Sequence, residues 1–533
     1  MVDNGSHRFS YTQFTAAPVA LSPSEDASRR ASRVVMRGGV SAGIGFVIRF
    51  GARLLFLLVA GRLFGATLFG AYSLAVAVVE LAVTVGAVGT KRTLFQFLDD
   101  PAARQSRPSH VLLDAAILVS GASLAMAGAI MLSAWLLPAA WLPRSTARAL
   151  LILAPTIGGQ ALLDLCSAAT RWQHRMRYEV IGRSVVEPYV GLSVTLLVFW
   201  LGRRDDGLLA GYWAGTLAAL AYVAWAARGA FGQFGLASYV VDRARLVRMW
   251  RGTAANTASD FLNALYGRID LYLVGVLLGE SSAGVYGIAR QVRTPIRQVR
   301  QSFDGLLIPI VARTLTARGP IETAAALGSA ARLILTMQLP VLIVLAAVGV
   351  PLLRGVGPGF EAGYWALVSL AAAETVQGAF GLGELIFVYR RPELGLWITA
   401  LSTVLGCVAG LLLIPSWGIS GAGASVLLSY VVRSWHRRQV LARTFDVRPP
   451  LLYHAGPLAA ASVATVAAVV AASVAGSPLA PYAEATITGV VVFALGIAVW
   501  LRTTGARLAI HGFVTDGPPP DPEPPPDDDG QTA

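Results

Sequence analysis

Apolar runs separated by short polar or arginine-bearing segments succeed one another from residue 38 to residue 502. A helix needs about 20 mostly apolar residues to cross the hydrocarbon core of a bilayer. The pattern predicts fourteen such spans, near 38–64, 70–90, 111–137, 147–170, 183–202, 208–227, 255–279, 284–312, 323–350, 362–389, 395–415, 420–440, 454–475 and 484–502. The expected fold class is an all-α polytopic membrane protein, and the even number of spans places both termini on one side.

Two of the connecting turns repeat. "GRLFGATLFGAY" carries Gly61, Gly65, Gly70 and Tyr72, and "GVLLGESSAGVY" carries Gly275, Gly279, Gly284 and Tyr286, a constant offset of 214. Each copy joins the first two spans of a six-helix half, so two parallel six-helix bundles around a central cavity are expected. The resulting division is an N-terminal tail (1–37), an N-lobe (38–227), an amphipathic linker (228–254), a C-lobe (255–440), two further spans within 441–502, and an acidic proline-rich tail (503–533) expected to be disordered.

Composition agrees with the pattern. Mean hydropathy is +0.61, with 55% hydrophobic and only 14% charged residues. The first 37 residues contain no apolar h-region, so no cleavable signal peptide is expected. Cys166 and Cys407 sit in apolar runs and read as small buried hydrophobes. Of the 43 Lys and Arg residues, 29 fall in segments that would face the cytoplasm and six in outside loops. This asymmetry orients both termini inward. The net charge of +13 is then a topology signal and a match to anionic membrane lipids, with no nucleic-acid partner implied.

The remaining eight arginines lie within predicted spans: Arg49, Arg53, Arg268, Arg290, Arg293, Arg297, Arg300 and Arg332. On one straight helix Arg290, Arg293, Arg297 and Arg300 would share an arc of roughly 80° over about 15 Å. An arginine facing lipid at that depth costs several kcal/mol. Three arrangements relieve the cost. The arginines could pair with intramembrane acids, of which Glu80, Asp164, Glu187, Asp260, Asp270, Asp304, Glu374 and Glu384 are available. The first part of the segment could lie at the interface, with Pro295 breaking the helix. Or the face could line an anion-binding cavity, which makes Arg49, Arg53, Arg268, Arg290, Arg293, Arg297 and Arg300 candidate substrate-binding residues. Asp260 and Asp270 on the seventh span and Glu374 and Glu384 on the tenth are candidates for ion coupling, with Thr399, Ser402 and Thr403 offering uncharged oxygens on the eleventh.

The segments "RIDLYLVGVLLGESSAGVYGIARQV", "LLIPIVART", "LLVAGRLFGATLFGAYSLAVAVVEL" and "LLLIPSWGISGAGASVLLSYVV" together resemble the polysaccharide-export (Wzx-type oligosaccharide flippase) family of the multidrug/oligosaccharidyl-lipid/polysaccharide (MOP) flippase superfamily, over about residues 38 to 440. The resemblance implies a two-lobed transporter in the bacterial inner membrane. It would move an undecaprenyl-pyrophosphate-linked oligosaccharide by alternating access, without a cofactor, and with a polysaccharide polymerase or copolymerase as the expected protein partner. The arginine-rich eighth span departs from the family pattern. A multidrug exporter and a lipid II flippase of the same fold are the alternatives among transporters. A membrane polysaccharide polymerase or ligase is the alternative from another class, opposed by the shortness of the longest outside loop, "PLLRGVGPGFEAG". The six histidines are scattered without metal-ligand spacing.

The charge asymmetry generates a direct test. Reporter fusions after residues 100 and 240 should read cytoplasm, and fusions after 142 and 282 outside; the opposite result at either pair overturns the map.

Overall fold

A computed structural model describes residues 51–504 apart from 52, 100–107, 139–141, 232–238, 318, 450 and 475–479. The N-terminal tail, Arg49 and the acidic tail beyond residue 504 lie outside the described residues. Among the described residues all regular structure is helical. In chain order the helices are α1 (53–64), α2 (Gly65–Gly86), α3 (Thr90–Asp99), α4 (Pro108–Leu136), α5 (Arg144–Leu153), α6 (Thr156–Trp172), α7 (Met176–Trp200), α8 (Gly207–Phe231) and α9 (Arg243–Tyr266). There follow α10 (Ile269–Val292), α11 (Thr294–Ala317), α12 (Gly319–Val356), α13 (Tyr364–Phe380), α14 (Glu384–Arg390), α15 (Pro392–Phe445), α16 (Ala455–Val474) and α17 (Ala480–Thr504).

Eight described helical segments are long and apolar enough to cross a membrane, nine when α5 and α6, bent by 47°, are taken as one span. Three of the continuous segments are hairpins folded on a glycine. A straight helix of α15's length would measure about 80 Å, far beyond a ~30 Å hydrocarbon core. It reverses at Gly418 (φ +57°), so that Ser429 Oγ reaches the Ser402 carbonyl at 3.0 Å. The α1–α2 pair reverses at Gly65 (φ +73°, ψ 178°) and α10 at Gly279 (φ +84°, ψ 178°). Only glycine adopts this backbone readily. Gly65 and Gly279 are equivalent positions of the sequence repeat, and their matching dihedrals show that the two copies make the same turn.

The repeat also builds the contact between the halves. A Cβ on Gly70 would overlap the carbonyl of Glu280, and a Cβ on Gly284 would overlap the carbonyl of Ala66. Residues 66 and 280, like 70 and 284, differ by 214. The two interactions are therefore images of one another, and α2 packs on the second leg of α10 about a local pseudo-twofold axis. Bare backbone on both sides is what permits this approach. Around the seam, Glu280 accepts hydrogen bonds from Ser145 Oγ (2.5 Å), Thr146 Oγ1 (2.5 Å) and Thr146 N (3.0 Å) in the first turn of α5. This caps helix donors that the chain leaves unpaired. Arg62 Nε donates to the Gly355 carbonyl at 2.8 Å. The halves are thus joined at the end holding Gly65 and Gly279.

Two boundaries depart from the sequence reading. The amphipathic linker and the seventh span share one helix, α9, which starts at Arg243 with Asp242 as N-cap accepting from Ala244 N at 2.9 Å. The linker is tied to α4 by the buried Asp114, which accepts from Tyr239 Oη at 2.5 Å and pairs with Arg245. The expected single helix over 284–312 is interrupted at Arg293. Pro295 stands second in α11, where its missing N–H costs no helical bond.

The seam predicts that Gly70→Leu and Gly284→Leu each lower thermal stability by about 1–3 kcal/mol through overpacking. Gly121→Leu should be neutral, because nothing lies within 4 Å of a Cβ there. Thermal unfolding followed by size-exclusion chromatography in detergent checks the contrast; equal tolerance at all three positions would refute the seam.

Candidate substrate site

The folding of α10 on Gly279 brings its two ends together. Asp270, in the first turn, accepts from Tyr286 Oη at 2.7 Å and lies 3.4 Å from Arg290 in the last turn. Arg290 also donates to the Gly267 carbonyl at 2.5 Å. The break at Arg293 then sends the following arginines elsewhere. Arg293 Nη1 and Arg297 Nε approach the same oxygen of Glu374 on α13, at 3.4 and 3.1 Å. Arg300 Nη2 lies 3.6 Å from Glu384 at the start of α14. Arg268, in the turn between α9 and α10, holds Glu80 of α2 at 2.5 Å, an ion pair between the two halves.

The arginine stripe is therefore not one straight charged face. Each of Arg268, Arg290, Arg293, Arg297 and Arg300 meets a carboxylate from another helical segment, so charge pairing describes all five. Pairing alone leaves the charges unequal. Glu374 serves two guanidinium groups, and Arg297, with 40% of its side chain exposed, is the outermost of them, whereas Arg293 is 5% exposed. Arg53, on α1, is half-buried. Glu80, which Arg268 holds, is 45% exposed. Arg290 sits back in its hairpin, and Arg49 lies outside the described residues. Arg332, buried on α12, places its guanidinium 5.5 Å from the ring of Trp500 on α17.

The acids named for ion coupling share a feature. Asp270, Glu374 and Glu384 each have an arginine partner, and Asp260 is half-buried on α9 with polar interactions of its own. Thr399, Ser402 and Thr403 donate to carbonyls one turn back in α15, at 2.9, 2.6 and 2.8 Å. Thr399 Oγ1 also accepts from Arg433 at 3.1 Å. A cation at Thr399 would meet this guanidinium. Among the described residues no group of three His, Cys, Asp or Glu side chains is arranged to hold a metal ion.

Arg433 and Arg437 stand at the end of the twelfth predicted span, and the charge asymmetry counts them, with the rest of 433–448, as facing the cytoplasm. The structure buries both, with 5% and 3% of their side chains exposed, and sets them 3.7 and 3.3 Å from Glu384. The signal for them is a stripe of fourth residues on the second leg of α15. Ser425, Ser429, Arg433, Arg437 and Leu441 are all buried, as one face of a helix requires. In the N-lobe the acids are likewise partnered: Asp164 by Arg183 and by Lys91 at 3.8 Å, and Glu187 by Gln160 at 3.0 Å.

Known proteins match this architecture. Residues 35–315 match the family model described as polysaccharide biosynthesis protein. The structure of the lipid II flippase MurJ in an inward closed conformation superposes with a TM-score of 0.71 at 10% identity, covering 88% of this chain and 100% of that one. An inward-facing multidrug resistance MATE family transporter of the MOP superfamily gives 0.59 at 12% identity, covering 74% and 98%. A mutant of the Vibrio cholerae MATE transporter VcmN gives 0.55 at 14% identity, covering 80% and 99%. No protein of curated function matches the sequence. At these identities the structural likenesses establish the fold alone, and the family match extends over more than half of the 533 residues. The chain is a multi-pass membrane protein that shares the fold of MurJ and the MATE structures, and it belongs to the polysaccharide biosynthesis protein family.

Proposed function

We propose that the protein is a flippase that carries an undecaprenyl-pyrophosphate-linked oligosaccharide, a surface polysaccharide repeat unit, across the bacterial inner membrane. Both termini are cytoplasmic, the lobes are 38–227 and 255–440, and the two alternate about the site between them. The observation that carries this reading is the sharing of one carboxylate, Glu374, by Arg293 and the more exposed Arg297, in a chain of the polysaccharide biosynthesis family. A pyrophosphate offers several anionic oxygens. A guanidinium keeps its charge at every relevant pH and presents a planar fork to them. Arg293 and Arg297 share one carboxylate, so an arriving phosphoryl oxygen supplies the second anion that this pair lacks. The sugars cross in the hydrated space between the lobes while the polyprenyl chain stays in lipid. The seam of Gly70 and Gly284 is the outside closure, and rocking of one lobe against the other opens it. No bond of the substrate is made or broken, and the polymerase acts on the product.

A lipid II flippase is the second reading, favoured by the extent of the superposition on MurJ. Phenotype separates the two. Deleting the gene should abolish a surface polysaccharide and leave its lipid-linked repeat unit on the inner face, with normal growth and drug susceptibility. Lysis from failed wall synthesis would instead support lipid II, and hypersensitivity to cationic drugs with intact polysaccharide would rule out both. At the level of residues, Arg297→Ala should reduce export at least tenfold at normal protein level, with partial rescue by Lys, because lysine keeps the charge and loses the fork. Glu374→Ala strands two guanidinium groups at a cost of about 3–5 kcal/mol and should lower the amount of protein in the membrane. Quantitative immunoblotting of membranes beside an export assay distinguishes these outcomes. Undiminished export by Arg297→Ala would remove it from the site.

A further inference from the structure

The inner part of the C-lobe holds a charge imbalance that the site between the lobes does not use. Glu384 Oε2 lies 3.3 Å from Arg437 Nη2 and 3.6 Å from Arg300 Nη2, and its Oε1 lies 3.7 Å from Arg433 Nη2. Three guanidinium groups thus surround one carboxylate. Charge-assisted N–H···O bonds run about 2.7–2.9 Å, so the carboxylate sits between its partners without closing tightly on any of them. The side chain of Glu384 is 30% exposed, against 17%, 5% and 3% for Arg300, Arg433 and Arg437. The acid is the outermost member and the cations form the floor. Asp304, one turn beyond Arg300 on α11, has a side chain outside the described residues; counting its charge still leaves the cations in excess.

The floor is rigidly built. Arg437 Nη1 donates to the Gly381 carbonyl at 3.0 Å, and Arg433 donates to Thr399 while its guanidinium lies 4.4 Å from the centre of the Tyr266 ring. Arg433 Nε, fully buried, has no hydrogen-bond partner. Glu384, by contrast, opens a seven-residue helix reached through the short turn Gly381–Leu382–Gly383. Fixed cations in excess, an unspent donor and a loosely held outer carboxylate describe an anion site with an internal occupant. Arg433 and Arg437, both buried, share Glu384 as their ion-pair partner among the described residues, and two buried guanidinium groups on one carboxylate can accommodate a second anion.

We propose that Arg300, Arg433 and Arg437 form a second anion site, one that accepts a phosphoryl group, with Glu384 as its resident and displaceable counter-ion. A phosphoryl oxygen takes the place of the carboxylate, which swings outward on its glycine-flanked turn. On the charge-derived topology the cluster lies toward the cytoplasmic end of the C-lobe. The phosphoryl group can come from a soluble or substrate pyrophosphate or from an anionic phospholipid headgroup, and both carry the chemistry the site fits. The site itself does not depend on the flippase reading.

The test is the sign of the change when Glu384 loses its charge. Glu384→Gln removes the competitor and should bind inorganic pyrophosphate about tenfold tighter than the unmodified chain, from the loss of one nearby negative charge. Binding is read by calorimetry on the full chain in phosphatidylcholine nanodiscs. Glu384→Gln should melt lower than the unmodified chain in those discs and recover when pyrophosphate is added. Recovery on adding phosphatidylglycerol without pyrophosphate would assign the phosphoryl group to the lipid headgroup. The gain should vanish in Glu384→Gln/Arg433→Gln, which isolates this cluster from other anion-binding arginines. Should Glu384→Gln fail to accumulate, Glu384→Asp, which withdraws the charge by one methylene, should give a smaller gain of the same sign. Affinity unchanged or weakened in the Glu384 variants, with no anion-dependent recovery of stability, would overturn the proposal and leave the cluster a structural ion pair. None of these readouts involves export, so a failure here is separable from an Arg297→Ala result that counts against the flippase reading.

Discussion

The cost of holding a guanidinium group away from water governs this structure. An isolated charge in a low-dielectric bundle costs several kcal/mol, and the C-lobe meets that cost at Arg290, Arg293, Arg300, Arg332, Arg433 and Arg437, with Arg297 more exposed at the edge of the group. The helices are arranged around that demand. The hairpin in α10 returns Arg290 to Asp270, the interruption at Arg293 releases its neighbours toward α13, and α14 begins with the acid that Arg300 meets. Asp270, Glu374 and Glu384 between them meet Arg290, Arg293, Arg297, Arg300, Arg433 and Arg437, and under the proposed function this shared pairing is what a phosphorylated substrate would engage.

The seam between the halves answers a different demand. The halves meet there through backbone at Gly70 and Gly284, where a Cβ on either side would overlap the opposite carbonyl. The ionic and capping contacts around it, Glu280 on α5 and Arg62 on Gly355, lie at the rim. Glu80 and Arg268 join the halves further along α2. Under the proposed function this interlobe ion pair is the contact through which a substrate anion at Arg268 would couple to the position of the lobes.

Much of this was legible from residues alone, and the exceptions have a common cause. The glycines at an offset of 214 foretold the matched turns, because φ near +80° restricts the choice of residue locally. The apolar runs foretold the helices, whereas the expected single span over 284–312 is broken at Arg293, with Pro295, the helix breaker in one of the three arrangements considered, standing just inside the following helix. What sequence could not supply was which acid meets which arginine. Glu374 and Glu384 stand roughly 80 residues from Arg293, Arg297 and Arg300 in the chain, and nothing in the spacing selects them. Arg433 and Arg437 were assigned to a cytoplasmic segment because arginines at the end of an apolar run resemble a loop. The stripe with Ser425 and Ser429 was the contrary sign. The start of α9 was obscured by arginines interleaved with its apolar positions.

The seam between Gly70 and Gly284 has one more consequence. Contacts made by side chains yield gradually, since rotamers can rearrange while helices drift apart. Backbone laid directly on backbone has no such slack: a small displacement removes the dispersion contacts across the crossing together. If the lobes alternate as proposed, a closure of this kind has few half-open states, and the passage between them would act as a latch with a threshold, holding under small fluctuations and releasing as a unit once the two halves begin to part.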